Sequence, residues 1–490
     1  MSSDHHQPEP QPPTTISANN EEEQSHQNQR PEETGEPKKE KPYSFPVTTL
    51  KLLSSYASSS RKAREGGKET DHQSDARKLS TMDIIRLASR FGSFSVFMHP
   101  YSSGLLGVSE EEEKDVELAQ LLLSAAENTE YQYFDRAKRL LTRCENLASE
   151  KGNPVQRIVY YFAEALRERI DRKTARVKNK KAEEHGGCTS LPLVTSLPFM
   201  ALHQKIPFIH GIQFAAMQQI VENVASATKV HVIDLRIRCE AHWTILMQTL
   251  AERDTLRIEL LKITAVTTND YKKDCEESCK RLHSFANSFN LPFSFKVVSL
   301  SDMKGMMAEL IDTAPDETIV VYAPLILSSM ISRPDCLDGL IRAIRSLKPA
   351  IMVVYETEAE INSPLFLKRF MEALLHFSAF FDCLEDCVQR DNKYRLILEG
   401  FHLREAILNM VVKDGEEWTN RSMRIDAWRP IFARFGMVEV ELSESSLYQA
   451  SLVVKQCPCG SLCTIDKNGK SLIFWWKGSP LLSLSTWKFS

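Results

Sequence analysis

Polar and apolar positions divide the chain into stretches of different periodicity. From Met1 to about Thr81 there is no period at all, only a mixture rich in Pro, Gln, Glu, Ser and His that includes Pro8, Pro10, Pro12, Pro13 and the run Glu21, Glu22, Glu23. Such composition buries too little apolar surface to offset the entropy of ordering, so residues 1–109 are expected to be a mostly disordered arm. After the acidic run Glu110 to Glu113 the pattern turns helical. Leu118, Leu121, Leu122 and Ala125, then Ala137, Leu140, Leu141, Cys144 and Ala148, then Val155, Ile158, Val159, Phe162 and Leu166 recur at i, i+3, i+4 and i+7. Three amphipathic helices in succession predict a helical cap over residues 110–225. A basic stretch, Arg172, Lys173, Arg176, Lys178, Lys180 and Lys181, closes that layer before Gly186 and Gly187.

Beyond Ile206 short β-branched runs alternate with helical stretches. Val230 to Asp234, Ile258 to Val266, Phe293 to Val298, Ile319 to Ala323 and Ile351 to Tyr355 read as strands. Ala241 to Glu252, Tyr271 to Ser288 and Cys336 to Ser346 read as the helices between them. This alternation implies parallel βαβ units with right-handed crossovers, hence an α/β, doubly wound, mostly parallel sheet over residues 226–490. A long helix then carries Phe370, Ala373, Leu374, Phe377, Phe381 and Leu384, and two more follow at Arg404 to Val412 and Met423 to Phe435. Val438, Val440 and Leu442 alternate with Glu439 and Glu441, while Leu452 to Lys455 and Leu472 to Trp476 flank Asn468-Gly469. Alternating strands about an Asn-Gly turn predict antiparallel pairing at one edge of the sheet.

Composition narrows the function classes. With 61 Lys plus Arg against 65 Asp plus Glu in 490 residues, the formal charge of −4 supplies no global field for nucleic acid. The start lacks an apolar signal segment, and nowhere do about 18 uncharged apolar residues run together, which predicts a soluble, non-secreted protein with no membrane partner. Eleven scattered cysteines in a chain of this size suit a reduced intracellular setting better than a disulfide scaffold. Lys38, Lys39 and Lys41, and Arg61, Lys62 and Arg64, are short basic clusters of nuclear-import type. The stretch Arg172 to Lys181 is a candidate for import or for contact with DNA phosphates, its plain alternative being a solvated loop.

The predicted sheet raises a nucleotide-cofactor enzyme, above all a methyltransferase using S-adenosylmethionine. Such a site needs glycine just after the first strand, so that backbone and cofactor approach closely. Here Asp234 is followed by Leu235-Arg236-Ile237-Arg238-Cys239-Glu240, and no glycine occurs from Ile212 to Lys304. No cofactor is therefore expected. No G-x-S-x-G, Walker or H-E-x-x-H motif occurs either. Cys457, Cys459 and Cys463 lack the usual zinc-ligand spacing and read as a cysteine-bearing loop before a hairpin. His231 and His242 read as structural histidines. The L-x-x-L-L face at Leu118, Leu121 and Leu122 suits either core packing or an apolar groove on a partner.

The order of these segments resembles the plant GRAS family of transcriptional regulators. Val230 to Asp234 is similar to the family's V-H-I-I-D core, with Trp243 where that family has a tryptophan. The helices from Leu118 to Leu166 resemble its first leucine-rich region. Arg369 to Leu374 with Arg404, Glu405 and Asn409 resembles its P-F-Y-R-E region, and Trp428-Arg429, Trp475 to Gly478 and Ser485-Thr486-Trp487 its S-A-W region. The ending from Pro458 to Gly478 is similar to the branch around the DELLA repressors, yet no D-E-L-L-A segment precedes residue 110. Where the family usually has Phe, Gly-Gln and Trp-Pro after its core, this chain holds Leu235, Glu240, His242 and Thr244.

What the resemblance implies is a methyltransferase-like core under a helical cap, acting without catalysis as a nuclear co-regulator. Its partners would be DNA-bound transcription factors, commonly of zinc-finger type, and other GRAS proteins. Leu118, Leu121, Leu122, Leu140 and Leu141 are expected to bind partners. Val230, His231, Asp234, Trp243, Arg404, Glu405, Trp428, Trp476 and Trp487 are expected to be structural. A direct DNA binder and a methyltransferase remain the competing readings.

Overall fold

The computed structural model describes residues 78–90, 108–178, 201–202, 204–237, 240–253, 256–301, 305 and 308–490. The candidate import clusters at Lys38 to Lys41 and Arg61 to Arg64 lie outside them. In the helical cap, α1 is Thr81–Arg90, α2 Glu110–Glu130, α3 Phe134–Leu147 and α4 Pro154–Lys178. A capping box starts α2. The Glu112 N–H donates to Ser109 Oγ at 3.3 Å, and Glu112 Oε2 accepts the Ser109 N–H at 2.9 Å.

The first helix lies within the stretch expected to be a mostly disordered arm. Ile84, Ile85 and Ala88 of α1 are buried in the main core. Its first turn is capped from far away, because the Thr81 N–H donates to Asp382 Oδ2 at 2.8 Å. The Leu79 N–H donates to the second oxygen of the Glu112 capping box at 2.7 Å. A ten-residue helix whose cap lies 301 positions along the chain leaves little local trace.

The rest of the fold runs α5 (Pro207–Asn223), β1 (Lys229–Asp234), α6 (Ala241–Ala251), β2 (Leu260–Thr268), α7 (Lys272–Ser288), β3 (Phe293–Leu300), β4 (Thr318–Pro324), α8 (Pro334–Ser346) and β5 (Ile351–Thr357). There follow α9 (Phe366–Cys387), α10 (Lys393–Ile397), a π-helical turn (Leu398–Leu403), α11 (Arg404–Val412), α12 (Ile425–Arg434), β6 (Met437–Val440), α13 (Glu444–Gln456), β7 (Cys463–Asn468), β8 (Ser471–Trp476) and β9 (Ser479–Phe489). The nine strands form one sheet ordered β3-β2-β1-β4-β5-β9-β8-β7, with β6 also on β9. The first five are parallel, and β6 to β9 pair antiparallel.

Alternation along the strands makes two cores. Val230, Val232, Leu261, Ile263, Val320 and Val353 face α5, α6, α9 and the cap. Ile233, Val266, Val321, Met352 and Val354 face α8 and α12, where Trp428 stacks on Phe432 and Phe432 meets Trp487 edge-on at 4.6 Å. Among the described residues no helix is long and apolar enough to cross a membrane.

The antiparallel half departs from the sequence reading. Leu452 to Lys455, expected as a strand, lies inside α13. There Ala450, Val453 and Val454 are buried at helical spacing, and Ser443 caps the helix by accepting the Ser446 N–H at 3.0 Å. A Cβ on Gly211 of α5 would stand 2.7 Å from Val454 Cγ2, so this glycine permits the close approach of the two helices. The true hairpin partner of β8 is β7, and the turn between them is the expected one, with Gly469 at φ +59.

Buried charge ties cap to core. Arg157 of α4 pairs with Glu385 of α9 at 2.8 Å and with Glu399 of the π-helical turn at 3.1 Å. Arg395 of α10 pairs with the same two carboxylates at 2.7 and 2.9 Å and donates to the carbonyls of Leu384 and Val388. Burial pushes Glu385 up, but hydrogen bonds from Arg395 and Arg390 outweigh it and hold the carboxyl at about 2. Removing one partner strands the others in a medium that cannot solvate them. Arg395→Ala is therefore expected to cost about 3–5 kcal/mol of unfolding free energy, measured by urea titration. A loss below about 1 kcal/mol would show the network to be dispensable.

Candidate functional site at the strand ends

In an open doubly wound sheet, ligands bind outside the carboxyl ends of the strands where the strand order reverses, here between β1 and β4. Asp234 ends β1 there and is wholly buried. Its Oδ2 accepts the Trp243 Nε1–H at 3.0 Å and its Oδ1 accepts the Arg236 N–H at 2.9 Å. The His242 Nε2 stands 3.9 Å from Oδ2. The rings of His242 and Trp243 each lie 5.1 Å from that of Tyr322 on β4, which meets Tyr355 of β5 at 5.9 Å.

The next loops close the same space. The Arg236 guanidinium donates to the carbonyl of Leu325, a residue held at φ +50. Glu356 at the end of β5 accepts the N–H groups of Leu327 and Ser328 at 2.7 and 3.3 Å. Glu240, ahead of α6, accepts from Ser278 Oγ at 2.9 Å and pairs with Arg281. Burial pushes the carboxyls of Asp234 and Glu356 up to about 7 each. Both oxygens of Asp234 and Oε1 of Glu356 thus fix loops and an indole, and Asp234, Arg236, His242, Trp243 and Tyr322 stand together at the β1–β4 switch point.

Most of the residues expected to be structural lie in the interior. Val230, His231, Trp428, Trp476 and Trp487 are buried. His231 bridges Glu317 at 2.9 Å and Thr264 at 2.8 Å. Arg404 pairs with Glu164 at 2.8 Å, joining α11 to α4. Glu405 differs, since it is exposed on α11.

The leucines expected to bind partners require a correction. Leu118, Leu121, Leu122 and Leu141 are buried in the main core and Leu140 is half-buried against it, so packing of α2 on α3 and α4 uses the L-x-x-L-L face. Among the exposed apolar groups of the cap, which include Leu147 of α3 and Tyr160 of α4, the most exposed are Tyr131 and Tyr133, 60% and 63%, at the α2–α3 turn beside a cleft lined by Gln132, Phe134, Asp135, Arg136 and Arg139. Two tyrosines around Gln132, itself at φ +62, were the available sequence signal, and helical periodicity passes over it.

The basic stretch is also corrected in part. It begins inside α4 and not in a loop, Arg172 pairs with Glu417 at 3.3 Å, and burial pushes the half-buried Lys173 ammonium down. The side chains of Arg176 and Lys178, and all of Lys180 and Lys181, lie outside the described residues.

Comparison with known proteins agrees with this architecture. The sequence profile of the GRAS domain family matches residues 118–488. DELLA protein RGL3 of Arabidopsis thaliana is 29% identical over 381 residues, covering 77% of this chain and 70% of the relative. DELLA protein GAI, also of Arabidopsis thaliana, is 27% identical over 387 residues, covering 78% and 70%. The crystal structure of SCL7 in Oryza sativa superposes with a TM-score of 0.65 at 24% identity, covering 76% of this chain and 99% of that one.

Two outcomes are expected. Leu121→Asp combined with Leu122→Asp should abolish the cooperative thermal transition seen by circular dichroism, and a folded double variant would return these side chains to the surface. The raised carboxyls set a pH dependence. Asp234 and Glu356 keep their protons up to about 7 when folded, whereas unfolded carboxyls lose them near 4, so from pH 4 to 7 the unfolded chain ionises first and both groups lower stability as pH rises. Asp234→Asn should flatten the fall in unfolding free energy between pH 5 and 7.5 by about 2 kcal/mol in paired urea titrations. Equal slopes in the two proteins would remove Asp234 as the source.

Proposed function

The chain belongs to the GRAS domain family, and on that premise we propose that it is a nuclear transcriptional co-regulator in plants rather than an enzyme. It acts through protein contacts with DNA-bound transcription factors, zinc-finger proteins among them, and with other GRAS proteins. The observation that supports this reading is the strand-end cluster, in which both oxygens of Asp234 and one oxygen of Glu356 accept from the chain's own backbone and from Trp243. A fold that keeps the sheet of a cofactor enzyme while filling its ligand position with ion pairs and indole has retained a scaffold for presenting surfaces.

Contact through protein also fits the charge of −4 and the pairing of Arg172 with Glu417, which leave DNA to be reached indirectly. The exposed pair Tyr131 and Tyr133, flanked by Arg136 and Arg139, has the aromatic and arginine composition that dominates binding energy at protein interfaces. It takes the place of the buried leucines as the cap's docking residues.

Tagged protein captured from plant nuclear extract should retain transcription factors after nuclease digestion, as read by mass spectrometry. Their complete loss on digestion would favour direct DNA binding. Tyr131→Ala with Tyr133→Ala should weaken that capture about tenfold or more in a still folded protein, the scale of a hot-spot truncation. Equilibrium dialysis against labelled S-adenosylmethionine should show no saturable binding, and saturation would reinstate the methyltransferase reading.

A further inference from the structure

Five of the eleven cysteines converge on one place. Cys383 and Cys387 stand one turn apart at the C-terminal end of α9, their sulfurs 3.8 Å apart. Cys457 and Cys459 come from the short connection between α13 and β7, and Cys463 is the first residue of β7. Cys387 is the hub, an electrostatic neighbour of Cys457, Cys459 and Cys463. The Cys459 thiol donates at 2.8 Å to the carbonyl of Asp386, the residue next to Cys387 in the chain.

Access and rigidity single out one pair. Cys383 is wholly buried and Cys457 and Cys463 are 7% exposed, whereas Cys387 and Cys459 are only half-buried. The connection that carries Cys459 is tightly built. A Cβ on Gly460 would overlap the Val454 carbonyl oxygen, the Gly460 N–H donates to the Cys457 carbonyl at 2.9 Å, and the Leu462 carbonyl accepts the Lys477 N–H at 2.9 Å. Lys477 also pairs with Asp386 at 2.6 Å, which places an ammonium beside Cys459. Clustered thiols serve soft metals or disulfides, and among the described residues no three ligand groups are placed to hold a metal.

We propose that Cys387 and Cys459 form a reversible disulfide that closes the α13–β7 connection onto the end of α9, with a low-molecular-weight disulfide such as oxidised glutathione as the oxidant. The Cys459 thiolate attacks one glutathione sulfur, the glutathione S–S bond breaks, and the departing glutathione thiolate takes up the proton that Cys459 released. The Cys387 thiolate then attacks the Cys459 sulfur of the mixed disulfide. The second glutathione leaves as thiolate and takes the proton from Cys387. Two protein thiols are oxidised and one glutathione disulfide is reduced to two thiols. Burial, with the neighbouring thiol, pushes Cys459 up to about 11, so exchange is slow at neutral pH and quickens as pH rises.

The test uses the full chain, purified reduced and then equilibrated at pH 8 with reduced and oxidised glutathione in varied ratio. Free thiols are trapped with N-ethylmaleimide and the protein is digested without reduction for mass spectrometry. The expected product is a peptide pair linked through Cys387 and Cys459, located by fragmentation and reversed by dithiothreitol. Cys459→Ser or Cys387→Ser should abolish the link, and Cys457→Ser should retain it. Maleimide on both cysteines of the wild-type protein, glutathione mixed disulfides alone, or a link between Cys383 and Cys387 would each overturn the proposal without recourse to any variant.

Discussion

Two arginines and two glutamates, three of them buried and Glu385 half-buried, tie the helical cap to the sheet where α4 meets the end of α9. Arg157 arrives from the cap and Arg395 from the helices that follow the parallel sheet, and both bind Glu385 and Glu399. Desolvating four charges is costly, and only close mutual geometry offsets it. The arrangement therefore tolerates little displacement of either layer. Glu399 reaches the site from a π-helical turn, whose widened backbone brings residues 398–403 round to it. A second crossing repeats the device, with Arg169 and Arg369 sharing Asp414 and lying 4.0 Å over the rings of Phe366 and Trp418 respectively. Cap and sheet are joined through these guanidinium groups as well as through the apolar core they share.

At the strand ends, burial holds the Asp234 and Glu356 carboxyls protonated up to about 7. A fold of this class normally keeps this position open for a ligand, and after β1 this chain carries Leu235, Arg236 and Ile237 where a cofactor site would need glycine.

Much of this was legible in the sequence because the signals were local. Val230 to Asp234 and the four later parallel strands are short β-branched runs between helices. What escaped reading was decided by distant partners. The α1 helix is capped by Asp382, and α13 is helical because Ala450, Val453 and Val454 face α5 across Gly211. Leu118, Leu121 and Leu122 could not be divided between core and surface by periodicity alone, since a buried stripe and a docking stripe have the same spacing. The five-thiol convergence was invisible for the same reason, with two members on α9, two on the connection to β7 and one at the start of β7.

The place of β9 in the sheet bears on how the molecule assembles. The parallel strands can be added in order of neighbouring βα units, each closing a modest loop. By contrast β9 must insert beside β5, pairing Ser485 with Val354, while its other side takes β8 along one half and β6 along the other. The pairing with β8 is a local hairpin, Trp476 opposite Ser479, but the registers with β5 and β6 are settled across long separations, and the entropy of closing such loops is spent before those contacts repay it. Docking of the β8–β9 hairpin on β5 is accordingly expected late in folding. Until it happens the edge of β5 is unpaired, which makes the partly folded chain a template for joining other chains.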